Sequence, residues 1–154
     1  MSLFNNIQGG SGTISITQKD LISLPEKFFP SLFQEEIIKE YELRSFYLDG
    51  RFYSMAIFSQ NNKKTKVDFR NYDLKHPNRT VPYKLCEIVQ ERLKKTFTEL
   101  KLKTGSADLI KGKDGEYYFL EINPVGQFTQ VSMPCNYQLE KKIAEFIIER
   151  VNEN

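Results

Sequence analysis

Two carboxylates and an amide in the C-terminal third of the sequence have the types and the spacing to do chemistry. Glu121 and Asn123 close the run Tyr117–Asn123, Y-Y-F-L-E-I-N, which alternates as a β-strand does. Residues two apart on a strand leave by one face, so both side chains point the same way. Upstream, Gly105–Ile110 (G-S-A-D-L-I) reads as a second strand, with Lys113-Asp114-Gly115-Glu116 between the two. Asp-Gly between strand patterns is a strong hairpin signal, because both central residues of a type I′ turn need positive φ. A two-residue turn on Asp114-Gly115 sets a register. Ala107 then faces Ile122 and Leu109 faces Leu120 on one side. On the other side Ile110 faces Phe119, and Asp108 lies opposite Glu121.

Like charges directly opposite each other destabilise a strand pair. A fold keeps them if one carboxyl holds a proton at a raised pKa, or if a cation sits between them. Asp108, Glu121 and Asn123 are hard oxygen donors suited to Mg2+, which takes few protein ligands and completes its shell with water and phosphate oxygens. The alternative is a solvated acidic hairpin end.

The elements around this hairpin place a second charged group. Tyr41–Phe58 reads as another hairpin, turning on Asp49-Gly50 with Leu48 and Arg51 beside it. Arg44 then faces Met55, on the side of Phe46, Tyr53 and Ile57. An arginine among apolar side chains needs a partner. That partner is a phosphate matched to the guanidinium fork; the alternatives are a structural salt bridge or an arginine snorkelling to the edge.

Several words in order resemble a known family. Asp108 followed by F-L-E-I-N-P is similar to the metal-binding end of the ATP-grasp carboxylate–amine ligases. D-F-R-N-Y-D (Asp68–Asp73), P-N-R-T-V-P-Y (Pro77–Tyr83), F-L-E-I-N-P-V-G-Q-F (Phe119–Phe128) and P-C-N-Y (Pro134–Tyr137) resemble the ATP-grasp peptide maturases of graspetide clusters, of the grasp-with-spasm type. The resemblance runs from about Phe33 to the C-terminus. It implies an enzyme using ATP and Mg2+ on a precursor peptide, with a glutamate ligase acting on a protein tail as the nearest rival. Asp108, Glu121 and Asn123 become the metal ligands. Gln34, Glu35 and Ile37 fall at the adenine hinge, Glu42 at the ribose, and Leu120 beside the nucleotide. Arg44, Arg70 and Asn71 fall near the transferring phosphoryl group, with Arg44 favoured as a phosphate ligand. Arg79 is assigned to substrate or phosphate, and Gly126 and Gln127 to the mouth where the peptide arrives.

The loop Gly9-Gly10-Ser11-Gly12, before the alternating run Thr13–Thr17, has backbone N–H groups able to approach phosphate. Without further context, a flexible start to the chain is the stronger reading. In the family such a loop covers the phosphates and follows a strand bearing a lysine; Met1–Gln8 contains no lysine. The expectation is one domain over 1–154, the C-terminal part of a longer enzyme. Residues 1–18 are a remnant of the loop and lid strand, and 19–154 form the large subdomain. A non-catalytic, peptide-binding remnant is the competing reading.

The rest of the chain reads as scaffold. Phe33–Ile38 and Val67–Asp73 are strand-like. A helix is expected from Thr80-Val81-Pro82 through Leu100, with Leu85, Ile88, Val89, Leu93, Phe97 and Leu100 at helical spacing. A last helix is expected at about Tyr137–Val151, with Leu139, Ile143, Phe146, Ile147 and Val151 inward. Adjacent hairpins imply an α+β fold, an antiparallel β-sheet with helices on one face. At net charge +2, with both signs interspersed, there is no polybasic footprint for nucleic acid. Two cysteines, Cys86 and Cys135, make neither a disulfide framework nor a metal site. No apolar run reaches membrane-spanning length, and Met1–Gly12 lacks the basic, then apolar, pattern of a signal peptide. The expected setting is cytoplasmic, with an oligomer possible.

Overall fold

In the computed structural model, residues 13–27 and 30–152 are described. The Gly9-Gly10-Ser11-Gly12 loop lies outside them. Five antiparallel strands form one sheet in the order β3-β2-β1-β4-β5. They are β1 (Lys39–Leu48), β2 (Arg51–Phe58), β3 (Arg79–Tyr83), β4 (Thr104–Gly112) and β5 (Tyr117–Asn123). Helices α1 (Gln18–Ile22), α2 (Glu87–Glu99), α3 (Thr129–Cys135) and α4 (Leu139–Asn152) complete the fold.

The first hairpin is as the sequence predicts. Leu48 pairs with Arg51 across Asp49-Gly50, and Arg44 pairs with Met55. Asp49 and Gly50 have φ of 39° and 97°, as a type I′ turn requires.

The second hairpin departs at its tip. Gly112 N donates to Glu116 O (2.9 Å) and Gly115 N to Gly112 O (3.0 Å), so the loop holds three residues, Lys113, Asp114 and Gly115. Gly115 has positive φ and Asp114 does not. Asp114 fixes this turn by accepting from Glu116 N (3.0 Å) and from the Tyr118 hydroxyl (2.5 Å). Leu109 therefore faces Phe119 and Ile110 faces Tyr118, not Leu120 and Phe119. A β-bulge between Asp108 and Leu109 leaves Leu120 over and restores the pairing, so that Asp108 faces Glu121 and Ala107 faces Ile122.

The α+β class and the antiparallel sheet match the expectation; the placing of the helices on one face does not. Alternate residues of β1 and β4 are apolar on both sides. Leu43, Tyr47, Ala56, Ala107 and Leu109 pack against Leu85, Val89, Leu93 and Phe97 of the α2 region. Phe46, Leu48, Met55 and Ile57 pack against Val131 and Cys135 of α3 and Leu139 of α4. A sheet apolar on both faces must be covered on both.

Other expected elements are also revised. Arg79–Tyr83 is an edge strand, where Pro82 removes no needed ladder bond, and the helix starts only at Glu87. Ile88 and Leu100 are exposed, as are Ile147 and Val151 of α4. Thr13–Thr17, Phe33–Ile38 and Val67–Asp73 carry no strand up to β1 and β3. Among the described residues no helix is long and apolar enough to cross a membrane.

Candidate active site

A cleft of about 500 Å³ opens at one end of the sheet. Its walls come from the segment before β1, the turn at Val67–Arg70, and the adjoining stretches of β1, β4 and β5. Gln34, Glu35, Ile37 and Glu42 line it, as do Arg70, Asp108, Leu120 and Glu121. Eight of the residues picked out from the sequence are thus brought together, although they come from four separate stretches of chain.

The centre of the site is a buried ion pair. Arg44 and Asp108 are cross-strand partners on β1 and β4, 4% and 7% exposed. Arg44 Nη1 donates to Asp108 Oδ2 (3.1 Å) and Nη2 to Gln127 Oε1 (3.2 Å). Neither group is saturated: Arg44 Nε and Asp108 Oδ1 are buried without a protein partner. Burial pushes the Asp108 carboxyl up to about 6. Arg44 opposes that rise, Glu121 across the ladder adds to it, and Arg70 opposes it. The like-charge pair read from the sequence therefore stands with one carboxyl raised well above its ordinary range and held beside Arg44. Arg44 contacts Asp108 and does not itself line the cleft.

Asn123 follows Glu121 on β5, opposite Ser106. Its Oδ1 accepts from Val125 N (3.1 Å) and Gly126 N (3.4 Å), shaping the turn that leaves the strand. Gly126 is buried with φ of 82°, and its carbonyl accepts from the Ser106 hydroxyl. Among the described residues no group of three or more His, Cys, Asp or Glu side chains could hold a metal ion. The expected donor set is two carboxylates and an amide.

Arg70 is anchored by Asp68. Nε donates to Oδ1 (2.9 Å) and Nη2 to Oδ2 (2.9 Å), with Arg70 N on Oδ1 as well (3.0 Å). Burial would raise Asp68, but these bonds outweigh it and hold the carboxyl below its ordinary range. Arg70 in turn is raised, chiefly by its bonds to Asp68 and further by the charges of Glu121 and Asp108. Its side chain is 55% exposed, so the guanidinium stands at the cleft mouth. Asn71 is exposed and does not line the cleft; its backbone N–H donates to Asp68 O (3.1 Å). Arg79 stands apart, over the Phe58 ring (5.3 Å to its centroid) and beside a different cleft lined by Asn62, Asp73 and His76.

Two site residues are given no role by the sequence, Asp68 entering there only within the word D-F-R-N-Y-D. Lys39 is buried, donating from Nζ to Glu42 Oε1 (2.5 Å) and Val67 O (2.8 Å). Residues three apart on a regular strand face opposite ways. The bulge between Lys39 and Tyr41 brings Lys39 onto the face of Glu42. The Ser59 hydroxyl donates to Glu42 Oε2. Burial nonetheless raises the Glu42 carboxyl against the pull of Lys39 and Ser59. The other is Asp68, whose role as anchor emerges only when the Asp68–Arg70 turn closes.

No protein-family model matches the sequence, and no curated protein does. Solved structures do match. A RiPP-associated ATP-grasp ligase of Chryseobacterium gregarium, in complex with ADP and a leader and core peptide, is 25% identical at a TM-score of 0.70 over 76% of this chain and 35% of its own. The macrocyclase MdnC of Microcystis aeruginosa, bound with precursor peptide MdnA, is 32% identical at a TM-score of 0.61 over 73% of this chain and 34% of its own. The ATP-grasp ligase PsnB, complexed with a precursor variant, Mg and ADP, shares the fold at 16% identity and a TM-score of 0.61, over 75% of this chain and 34% of its own. The chain spans about a third of the length of these structures.

Proposed function

We propose that this chain, which is similar in sequence and fold to RiPP-associated ATP-grasp ligases, carries the nucleotide and metal end of an ATP-dependent ligase that crosslinks a ribosomally made precursor peptide. In this reading 19–154 form the large C-terminal subdomain and 1–18 belong to the phosphate-covering loop and lid strand. One observation carries most weight. Asp108 is buried in the cleft wall with Oδ1 unpartnered and Glu121 opposite, in a chain similar to two enzymes captured with peptides.

A divalent cation fits these donors. Asp108 Oδ1 has no protein partner to give up, Glu121 faces it, and both are hard oxygens. Asn123 adds its amide oxygen on releasing the turn it caps. Magnesium bound there supplies positive charge to phosphate oxygens. The chain's own groups do the rest. Gln34, Glu35 and Ile37 hold the adenine edge and Glu42 the ribose. Arg70 offers a guanidinium at the cleft mouth, and Arg44 keeps Asp108 Oδ2 occupied. Asn71, Arg79 and Gly126 belong to the peptide side. A peptide carboxylate oxygen attacks the γ-phosphorus and ADP leaves. A hydroxyl or amine of the same peptide attacks the acyl carbon and loses its proton, and phosphate leaves. Such catalysis rests on positioning and electrostatics and needs no enzyme nucleophile.

The test incubates the protein that carries this chain with magnesium-ATP and its precursor peptide, and weighs the peptide by mass spectrometry. Each crosslink is expected to remove one water, about 18 Da, and to release ADP. Asn123→Ala is expected to abolish the loss with the circular dichroism spectrum unchanged. A gain of glutamate mass would mark a protein-tail ligase instead, and AMP as product would overturn the acyl-phosphate route.

A further inference from the structure

We infer that Gln127 is a positioning residue: it orients Arg44, and through Arg44 the unpartnered oxygen of Asp108, and is not a substrate contact. Three side chains form a line from the loop after β5 to the cleft. Gln127 Oε1 accepts from Arg44 Nη2 (3.2 Å), and Arg44 Nη1 donates to Asp108 Oδ2 (3.1 Å). Asp108 Oδ1 is then left buried without a protein partner. A guanidinium held by a single bond can turn about its Nε–Cζ axis. Held on two nitrogens by two acceptors from different elements, its plane is fixed, and so is the carboxylate it grips.

The loop is built to hold Gln127 in place. Gln127 has φ of 44°, a left-handed conformation in which few non-glycine residues are found. The preceding Gly126 is pinned by three bonds: its N–H reaches Asn123 O (3.1 Å), its N–H also reaches Asn123 Oδ1 (3.4 Å), and its carbonyl accepts from Ser106. A Cβ at Gly126 would stand 3.0 Å from the Phe46 ring and 3.4 Å from Gly105 Cα, so the loop lies tight on the sheet. Left-handed backbone held this firmly aims the Gln127 side chain back at β1, although the residue is exposed. Arg44 is 4% exposed, so that amide is its second acceptor besides Asp108.

The consequence for catalysis rests on the ligase reading, since it is there that Asp108 Oδ1 meets a metal; the placement of Gln127 does not. The test is therefore made on the chain without nucleotide, metal or peptide. The guanidinium Nη resonances of Arg44, assigned by their disappearance in Arg44→Lys, report rotation about Nε–Cζ in nitrogen-15 NMR. Three variants separate side chain from backbone. Gln127→Asn suits the left-handed conformation, yet its amide is one methylene too short to reach Arg44. Gln127→Met keeps the length and loses the acceptor. Gln127→Glu keeps length and acceptor. Rotation is expected to quicken several-fold in the Asn and Met variants and to stay slow in the Glu variant. Unchanged rotation in both the Asn and Met variants would overturn the inference. So would quickening in the Glu variant equal to theirs, because the effect would then belong to the loop and not to the acceptor. Failure of the crosslinking assay would sink the ligase reading and leave this result standing.

Discussion

Replacing Arg44 with methionine gives a loss of stability whose size depends on pH in a direction the buried pair dictates. Methionine fills much of the space of the arginine stem without its charge, and strands Asp108. In the folded protein Asp108 titrates at about 6 against an ordinary 3.8, with Arg44 still present and pulling it down. That gap corresponds to about 3 kcal/mol against the charged form. The sign follows from the raised value: this stability is fully present below 3.8 and is lost as pH rises through 6. Without Arg44 the carboxyl rises further. At about pH 7.5 the variant must bury an unpaired carboxylate or take up a proton, a loss of roughly 3–5 kcal/mol for one broken buried pair. Part of this is returned, because Arg44 Nε itself has no partner. At about pH 4.5 Asp108 is protonated in both proteins, and the loss shrinks to about 1 kcal/mol, on the order of a hydrogen bond. Urea denaturation with chelator present, at both pH values, gives the two losses. Taking variant against wild type cancels the other carboxyls. The loss at the higher pH is expected to exceed that at the lower by at least ~2 kcal/mol. Equal losses would refute the raised, buried Asp108 carboxyl paired with Arg44.

Gly126→Ala places a Cβ 3.0 Å from the Phe46 ring at φ of 82°; a loss of about 1–3 kcal/mol is expected by thermal or urea unfolding. Deleting Lys113 shortens the second turn to Asp114-Gly115. Gly112 and Glu116 still flank that turn, so cross-strand NMR contacts are expected to keep Leu109 opposite Phe119 and Ile110 opposite Tyr118, with the bulge in place and Asp108 still beside Glu121. The isolated 154 residues, which span about a third of the ligases they resemble, are expected to bind magnesium-ATP weakly; micromolar affinity by calorimetry would count against the reading of the chain as part of a larger clamp.

What the sequence discloses here are the features that local chemistry decides. Asp49-Gly50 demands one turn type, and alternation then places Arg44 opposite Met55. Arg79–Tyr83 is ambiguous in the sequence because proline suits both the first turn of a helix and an edge strand, and only the neighbouring strand β2 chooses between them. The two covered faces were equally hidden. Leu43 and Tyr47 alternate with Phe46 and Leu48, so no polar face announces solvent. Lys39 is the clearest loss, since only a bulge puts it beside Glu42.

The register that a two-residue turn predicts holds at the sheet end of this hairpin, where Asp108 faces Glu121, and fails at its tip. The three-residue turn slips the ladder by one residue, and the bulge that leaves Leu120 unpaired slips it back. The carboxylates are therefore not set opposite each other by the turn. They are set from the sheet end, where Ser106 pairs with Asn123 and Ala107 with Ile122, and where Ser106 also bonds the Gly126 carbonyl. Ser106 and Ala107 are fully buried, so this end cannot slide without turning polar side chains into the core. The tip can. Asp114, Gly115 and Glu116 are exposed, and the bulge absorbs the one residue by which the turn slips the ladder. The metal-side register is thus insulated from the turn, and the exposed Leu120 at the cleft wall is the residue the bulge displaces in doing so.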